Sequence, residues 1–195
     1  MSGKLIECVP NFSEGRRQDV IEAIADNFRG VKGCSLLDYR ADSDHNRLVV
    51  SLAGEPEAVA GALIKAARTA GGARDMKTHR GAHPRIGAVD VIPFTPIRGI
   101  TMEECVVFSH AFGERYAAEL GVPVYFYEDS AKRPERRRLE VIRRGQYEVL
   151  KTESLNPDRH PDAGGPALHP TAGATVVGAR QFLVAFNVNL NTADE

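Results

Sequence analysis

The sequence predicts an α+β fold: a ferredoxin-like split βαβ sandwich, with a mixed, largely antiparallel sheet and helices packed on it, extended by extra helices and strands. Three observations lead there. Residues 4–96 read in the order strand, helix, strand, strand, helix, strand. The two helical stretches carry apolar residues at spacings of three and four, while the strands are short apolar runs bounded by turn residues. Residues 101–127 then add a further helix and a further strand.

Taken in order, Lys4–Val9 is the first strand, stopped by the turn-rich Pro10–Gly15, where Ser13 is placed to cap the first helix. Asp19–Phe28 spaces Val20, Ile21, Ile24, Ala25 and Phe28 as an amphipathic helix. Gly33–Asp38 and Arg47–Ala53 are strands joined by the polar turn Asp42–Asn46. Glu55–Ala70 is an Ala-rich helix with Pro56 in its first turn, and Ala88–Pro96 is the fourth strand. Thr101-Met-Glu-Glu104 has the form of a capping box, ahead of a helix expected to bury Val106, Val107, Ala111, Phe112 and Leu120. Val122–Tyr127 alternates enough for a half-buried strand. Residues 133–145 combine six arginines with Leu139 and Ile142 at helical spacing, which reads as a solvated helix face. A basic patch for polyglutamate tails or nucleic acid is the alternative. Residues 151–170 hold four prolines and no periodicity, a long connection of the kind that is often functional. Phe182–Leu190 reads as a strand with five residues to follow, as though a second unit were opening.

The chain has 195 residues, 43% of them hydrophobic, enough for a real core. Lys and Arg total 25 against 26 Asp and Glu, a balance that argues against a general nucleic-acid or membrane-surface binder. No run approaches the ~20 apolar residues of a membrane span, and Met1–Glu7 lacks a signal-peptide core, so a cytoplasmic protein is expected. Cys8, Cys34 and Cys105 are odd in number, far apart and set among apolar neighbours, which predicts buried free thiols.

The stretch Thr78–Phe94 carries the chemistry. Two His, two Arg, two Gly, a Pro and an Asp crowd a dozen residues that feed an apolar strand. A broken loop on a rigid strand is how reactive groups are usually presented. His83 is the candidate reactive group, Pro84 fixing the backbone after it. A loop histidine with a structural hydrogen bond is the plain alternative. His79 lies four residues before His83, a metal-like interval, but Gly81 and Pro84 oppose a helix there and no metal is expected. His45, His110 and His160 read as surface or packing residues.

Six motifs carry a resemblance to a known family: Glu7-Cys-Val-Pro-Asn-Phe-Ser-Glu-Gly15, Asp44-His-Asn-Arg47, Gly81-Ala-His-Pro-Arg-Ile-Gly-Ala-Val-Asp-Val91, Phe94-Thr-Pro-Ile-Arg-Gly99, Gly121-Val-Pro-Val-Tyr125 and Gly173-Ala-Thr-Val-Val-Gly-Ala-Arg180. In order and over nearly the whole chain, these resemble glutamate formimidoyltransferase, in animals the first half of formimidoyltransferase-cyclodeaminase. The resemblance implies transfer of a formimino group from N-formimidoyl-L-glutamate to tetrahydrofolate as co-substrate, in histidine breakdown and one-carbon metabolism. It implies two subdomains of related fold with folate between them. Residues 1–178 then correspond to the N-terminal subdomain, and 179–195 to the first strand of a truncated or missing C-terminal one. The expected partners are the small-molecule substrates, together with a second copy of the chain or a separate second subdomain. A folate-binding subdomain without turnover, half of a split transferase, or action on 5-formyl-tetrahydrofolate are the alternative readings. Arg40 departs from the acidic residue of some relatives.

The resemblance places the catalytic histidine of a Gly-x-His-Pro-Arg motif on His83. It places the folate-binding stretch on Gly164, Gly165, Pro166, Ala167, Leu168, His169, Pro170, Thr171, Ala172 and Gly173. Formimino transfer needs a proton taken from the attacking folate nitrogen and one given to the departing amine, work suited to an imidazole. Arg47 and Arg85 are candidate forks for substrate carboxylates. Asn11 and Asn46 suit a pterin edge or an amidine, with Asp44 and Asp90 alongside. Gly81, Gly87 and Gly173 would let a ligand approach the backbone. Asp38, Asp42, Asp44 or Asp90 could orient the imidazole, and the sequence does not choose among them.

Overall fold

The computed structural model describes residues 3–184. Its strands are β1 (Leu5–Cys8), β2 (Asn11–Phe12), β3 (Cys34–Asp42), β4 (Arg47–Gly54), β5 (Val89–Arg98), β6 (Val124–Phe126) and β7 (Thr175–Ala179). Its helices are α1 (Gln18–Asp26), α2 (Pro56–Ala73), α3 (Met102–Leu120), α4 (Leu139–Ile142) and α5 (Gln146–Glu153), with 3-10 turns at Glu128–Ser130, Pro134–Arg137 and Pro157–Arg159.

The first strand of the sequence reading is two pieces, β1 and β2, because Pro10 between them has no N–H for the ladder. Both pieces pair antiparallel with β4 on one side and β5 on the other, and β3 flanks β4 antiparallel. Beyond β5 the pairing changes sense: β7 and then β6 add in parallel. The sheet is therefore mixed and the class α+β, as expected. The Gly173–Arg180 segment, which gave no strand signal, forms β7 and lies centrally between β5 and β6. Parallel strands covered on both faces are apolar throughout rather than alternating. The same coverage makes β6 fully buried, not half-buried as its alternation suggested.

The two faces of the sheet have different jobs. On one, α1, α2 and α3 bury Ile24, Leu63 and Phe112 against Ile6, Leu48, Leu52, Ile92 and Phe94. Thr101 forms the capping box of α3 with Glu104, its side chain accepting from the Glu104 N–H. The buried stripe of that helix is rotated from the expected one: Cys105, Ser109, Phe112, Gly113, Tyr116 and Ala117 face inward, whereas Val107 and Ala111 are exposed. On the other face, α4 and α5 contribute Ile142 and Leu150 to a smaller cluster with Val91, Tyr125 and Val176. The remaining part of that face, Glu7, Val9, Asn11, Arg47, Val49, Val91 and Pro93, floors a cavity. These are alternate residues of adjacent strands, as the two-residue side-chain period requires.

Other expectations change. Ser13 does not cap α1; its hydroxyl donates to the Gly87 carbonyl at 2.7 Å, while the Glu14 carboxylate accepts the Arg16 and Arg17 N–H groups. The basic segment 133–145 is a 3-10 turn followed by the short α4, not one solvated helix. Arg136 is buried in an ion pair with Asp162 at 2.8 Å. Residues 151–170, expected to lack periodicity, begin inside α5, whose two turns bury Tyr147 and Leu150. Gly87 and Gly173 face each other across a bridge, and a Cβ on either would collide with a carbonyl oxygen, of Ala174 or Ile86. These glycines, like Gly81 against the His45 carbonyl, admit protein backbone rather than a ligand. Cys8, Cys34 and Cys105 are buried free thiols. Phe182 to Val184 are exposed and outside any strand, and the rest of the strand expected at Phe182–Leu190 lies outside the described residues. No helix among the described residues is long and apolar enough to cross a membrane.

Candidate functional site

The cavity on the sheet face measures about 950 Å³, within the ~300–1,000 Å³ of small-molecule sites. His83 and Arg47 stand at one part of it, with Asn11 on the floor and Arg143, at the end of α4, on the wall. The loop holding His83 is fastened at both ends. Before it, His79 is buried with both ring nitrogens engaged: Nδ1 accepts from Arg85 Nε at 3.0 Å, and Nε2 donates to the Asn46 carbonyl at 3.2 Å. After it, the Ile86 N–H donates to Asp90 at 2.8 Å and the Gly87 carbonyl takes the Ser13 hydroxyl.

His83 itself is held lightly. Arg47 Nη1 donates to its Nδ1 at 3.4 Å, and Nε2 is buried with no hydrogen-bond partner among the described residues. A guanidinium can only donate, so Nδ1 carries the lone pair and the neutral ring keeps its proton on Nε2. Asp90 Oδ2 lies 3.8 Å from that nitrogen. Of the four candidate carboxylates, Asp90 is the one beside the ring: Asp38 pairs with Arg40, Asp42 with His45, and Asp44 is exposed. Asp90 also fastens the turn before β5 through the Ile86 N–H.

Burial pushes the His83 pKa down to about 3, helped by the cationic Arg47 and Arg143 and then by His45 and Arg85. Burial likewise lowers His79 to about 4. Asp90 is pushed up by burial, against the pull of Arg143 and the Ile86 N–H. Both histidines are therefore neutral in the fold and charged in the unfolded chain below ~6.5. Their folded pKa values are depressed, so the unfolded state binds more protons and stability falls as pH drops from ~6.5 towards 4. Urea titrations at pH 7.5 and 5 should show the midpoint falling, with close to two extra protons taken up on unfolding at the lower pH. His79→Gln should halve that uptake.

The sequence-predicted residues divide accordingly. His83, Arg47 and Asn11 share the cavity, with Asp90 directly behind His83. Asn46 is spent inside the protein: its amide oxygen accepts the Gly15 N–H and its Nδ2 donates to the Arg80 carbonyl. Asp44 contributes its own carbonyl to the Ala82 N–H. Arg85, expected as a carboxylate fork for substrate, is buried and committed to Glu148, Gln146 and His79. None of residues 164–173 lines the His83 cavity. Gly164 borders a smaller hollow of about 320 Å³ beside α3, and His169 accepts the Thr171 and Ala172 N–H groups, closing its own turn.

Arg143 is a cavity-lining residue absent from the sequence-based candidates. It stands among exposed arginines, yet it lies four residues after Leu139 and one after Ile142. The i, i+3, i+4 pattern puts it on the apolar stripe. Together Arg47 Nε, Arg143 Nε and His83 Nε2 are buried polar atoms without partners among the described residues, and all three side chains line one cavity. Buried unpaired donors are rare and costly, and the two guanidiniums among these side chains are suited to an anion.

Residues 5–180 match the family described as "Formiminotransferase domain, N-terminal subdomain". The chain is 51% identical over 187 residues to formimidoyltransferase-cyclodeaminase of Gallus gallus, covering 96% of this chain and 35% of that protein. It is 48% identical over 189 residues to glutamate formimidoyltransferase of Streptococcus pyogenes, covering 97% and 63%. It is 43% identical over 192 residues to glutamate formimidoyltransferase of Thermoplasma acidophilum, covering 97% and 63%. The chain thus spans about a third of the length of the first kind of relative and under two thirds of the second.

Proposed function

The chain belongs to the formiminotransferase domain family as its N-terminal subdomain, and from that premise we propose that it carries the acid–base part of a formimidoyltransferase site. The donor is N-formimidoyl-L-glutamate and the acceptor tetrahydrofolate, bound as co-substrate. The carrying observation is that Arg47, Arg143 and His83, each with a buried nitrogen that has no partner among the described residues, line one cavity. Two guanidiniums there suit the glutamate carboxylates that both substrates bear.

N5 of the folate attacks the amidine carbon, forming a C–N bond. His83 Nδ1 takes the N5 proton, and the resulting imidazolium is stabilised by Asp90 on its Nε2 side. The same proton passes to the glutamate nitrogen as its C–N bond breaks, leaving 5-formimidoyl-tetrahydrofolate and glutamate. General acid–base assistance of this kind contributes about 10²–10⁴-fold. In the free cavity burial and the guanidiniums hold His83 neutral, its Nδ1 lone pair accepting only the long contact from Arg47. A bound carboxylate offsets their charge and brings the imidazole pKa up towards working pH. The N-terminal subdomain is read to residue 180, past the expected 178, Ala179 being the last residue of β7, and the sequence after it corresponds to the start of a second one. The setting is cytoplasmic histidine breakdown and one-carbon metabolism.

A second reading has its own observation. The stretch 164–173 stays outside the cavity, and two thirds of the animal relatives' length lies beyond this chain. The chain is then half of a split site, binding substrate and needing a second subdomain for turnover. Transfer of the formimino group to tetrahydrofolate, assayed with the chain alone and with an added second-subdomain polypeptide, separates the two. Turnover in neither sample overturns the transferase reading. Arg47→Ala should raise KM for the formimidoyl donor about 10–100-fold with a smaller change in kcat, the loss of one charged hydrogen-bonding partner. Steady-state kinetics at varied donor concentration measures it.

A further inference from the structure

One carboxylate oxygen in the cavity wall has two claimants. Arg143 Nη2 is in contact with Asp90 Oδ2, and His83 Nε2 stops 3.8 Å from the same atom. The histidine is left with a buried Nε2 that has no partner among the described residues, although its proton is on that nitrogen. Asp90 is anchored independently of this contest, because its other oxygen accepts the Ile86 N–H at 2.8 Å. It can lose Arg143 without losing its place. Arg143, for its part, keeps an unpartnered Nε on a side chain that also lines the cavity.

We propose that Arg143 is a positioning residue: a substrate carboxylate entering the cavity draws it off Asp90, and Asp90 Oδ2 then closes on His83 Nε2. The inference rests on the acid–base role of His83 proposed above. An incoming carboxylate offers Arg143 a bidentate partner, which a single contested oxygen does not. The released Asp90 gains the His83 Nε2–H as donor, so no buried acceptor is left empty. No bond to hydrogen breaks in the switch; the proton stays on Nε2, and the Nδ1 lone pair, which accepts from Arg47 Nη1 in the free protein, takes the substrate's proton once Arg47 turns to a substrate carboxylate. The charges facing the ring are Arg47 from β4, His45 from the β3–β4 turn, Arg85 from the same loop, Arg143 from α4 and Asp90 from β5. Arg143 is the one cation among them that also holds the carboxylate. Carboxylate binding and orientation of the imidazole are thereby a single event, and the acid–base pair is complete only with substrate present.

The test is histidine NMR on the full chain, with His83 assigned through His83→Asn and L-glutamate as the probe. In the free protein a slowly exchanging, downfield His83 Hε2 proton should be absent. Saturating L-glutamate should bring it out and raise the His83 titration midpoint by about 1–3 pH units. Arg143→Gln should show the Hε2 proton without L-glutamate, and L-glutamate should then add little. Arg143→Lys, able to contact Asp90 in the same way, should restore the dependence on L-glutamate. If L-glutamate shifts other cavity resonances but no Hε2 proton emerges in the wild type, this proposal is overturned and the transferase reading stands. If L-glutamate shifts nothing in the cavity, the carboxylate reading of the site falls and this inference with it. The wild-type titration decides both points even if the Arg143 variants do not fold.

Discussion

His83→Ala is expected to lower formimino transfer by about 10²–10⁴-fold, the range that a positioned acid–base group supplies, while leaving the fold in place. The asymmetry comes from how little the ring does for stability. It makes one long contact at 3.4 Å and buries an Nε2 that has no partner among the described residues. Its pKa is already far below the ordinary value, so it subtracts from stability in mild acid. Removing it should therefore leave the thermal midpoint at pH 7.5 nearly unchanged and raise it relative to the wild type at pH 5. Single-turnover rates and melting curves at the two pH values measure both effects. Turnover within threefold of the wild type would remove His83 from the chemistry.

What the sequence made legible was whatever depends on local pattern. The helical spacing of Val20, Ile21, Ile24 and Ala25 produced α1, and Thr101-Met-Glu-Glu104 produced the capping box that starts α3. His83 stood out because so many polar groups share its loop. What stayed hidden depends on which distant element covers a residue. β7 reads as a glycine-rich run because Gly178 packs against Tyr127 and the strand is covered on both faces, so no alternation marks it. The stripe of α3 rotated because Gly113 lies against Phe126, drawing the inward side away from Val107 and Ala111. Arg143 and Arg136 carry the same charge as their exposed neighbours, and only Asp90 and Asp162 single them out. Asp90 was one of four equal choices until β5 brought it behind the ring. Arg85 is the opposite case: a guanidinium in the same loop as His83, yet outside the cavity lining and bonded to His79, Gln146 and Glu148.

Arg85→Ala is expected to act on stability and on the shape of the site, not directly on substrate binding. All five of its N–H donors are used within the protein. Nε serves His79 Nδ1, Nη1 serves Gln146 and Glu148 at 2.6 and 2.8 Å, and Nη2 serves the His79 carbonyl and Glu148 at 3.1 and 2.6 Å. A guanidinium has five such donors, so none remains for a ligand. The clamp joins the start of the His83 loop to α5, and the Arg85 carbonyl receives the Tyr147 N–H as well. Truncation strands the buried His79 nitrogen and carbonyl but lets Glu148 turn to water, since its side chain is 48% exposed. That places the cost near the low end for a broken buried ion pair, about 3 kcal/mol, or about 6–12 °C in Tm for a chain of this size. The acid limb gives a second signature. Arg85 holds Glu148 down to about 2, so the pair's contribution is present above ~4.5 and is lost as pH falls towards 2. In the variant that loss should vanish from the stability curve between pH 4.5 and 2. Lysine cannot reproduce a five-donor fork, so Arg85→Lys should recover less than half of the lost stability. Were Arg85 a carboxylate fork for substrate instead, KM would rise with Tm unchanged, and melting curves beside donor titrations tell the two apart.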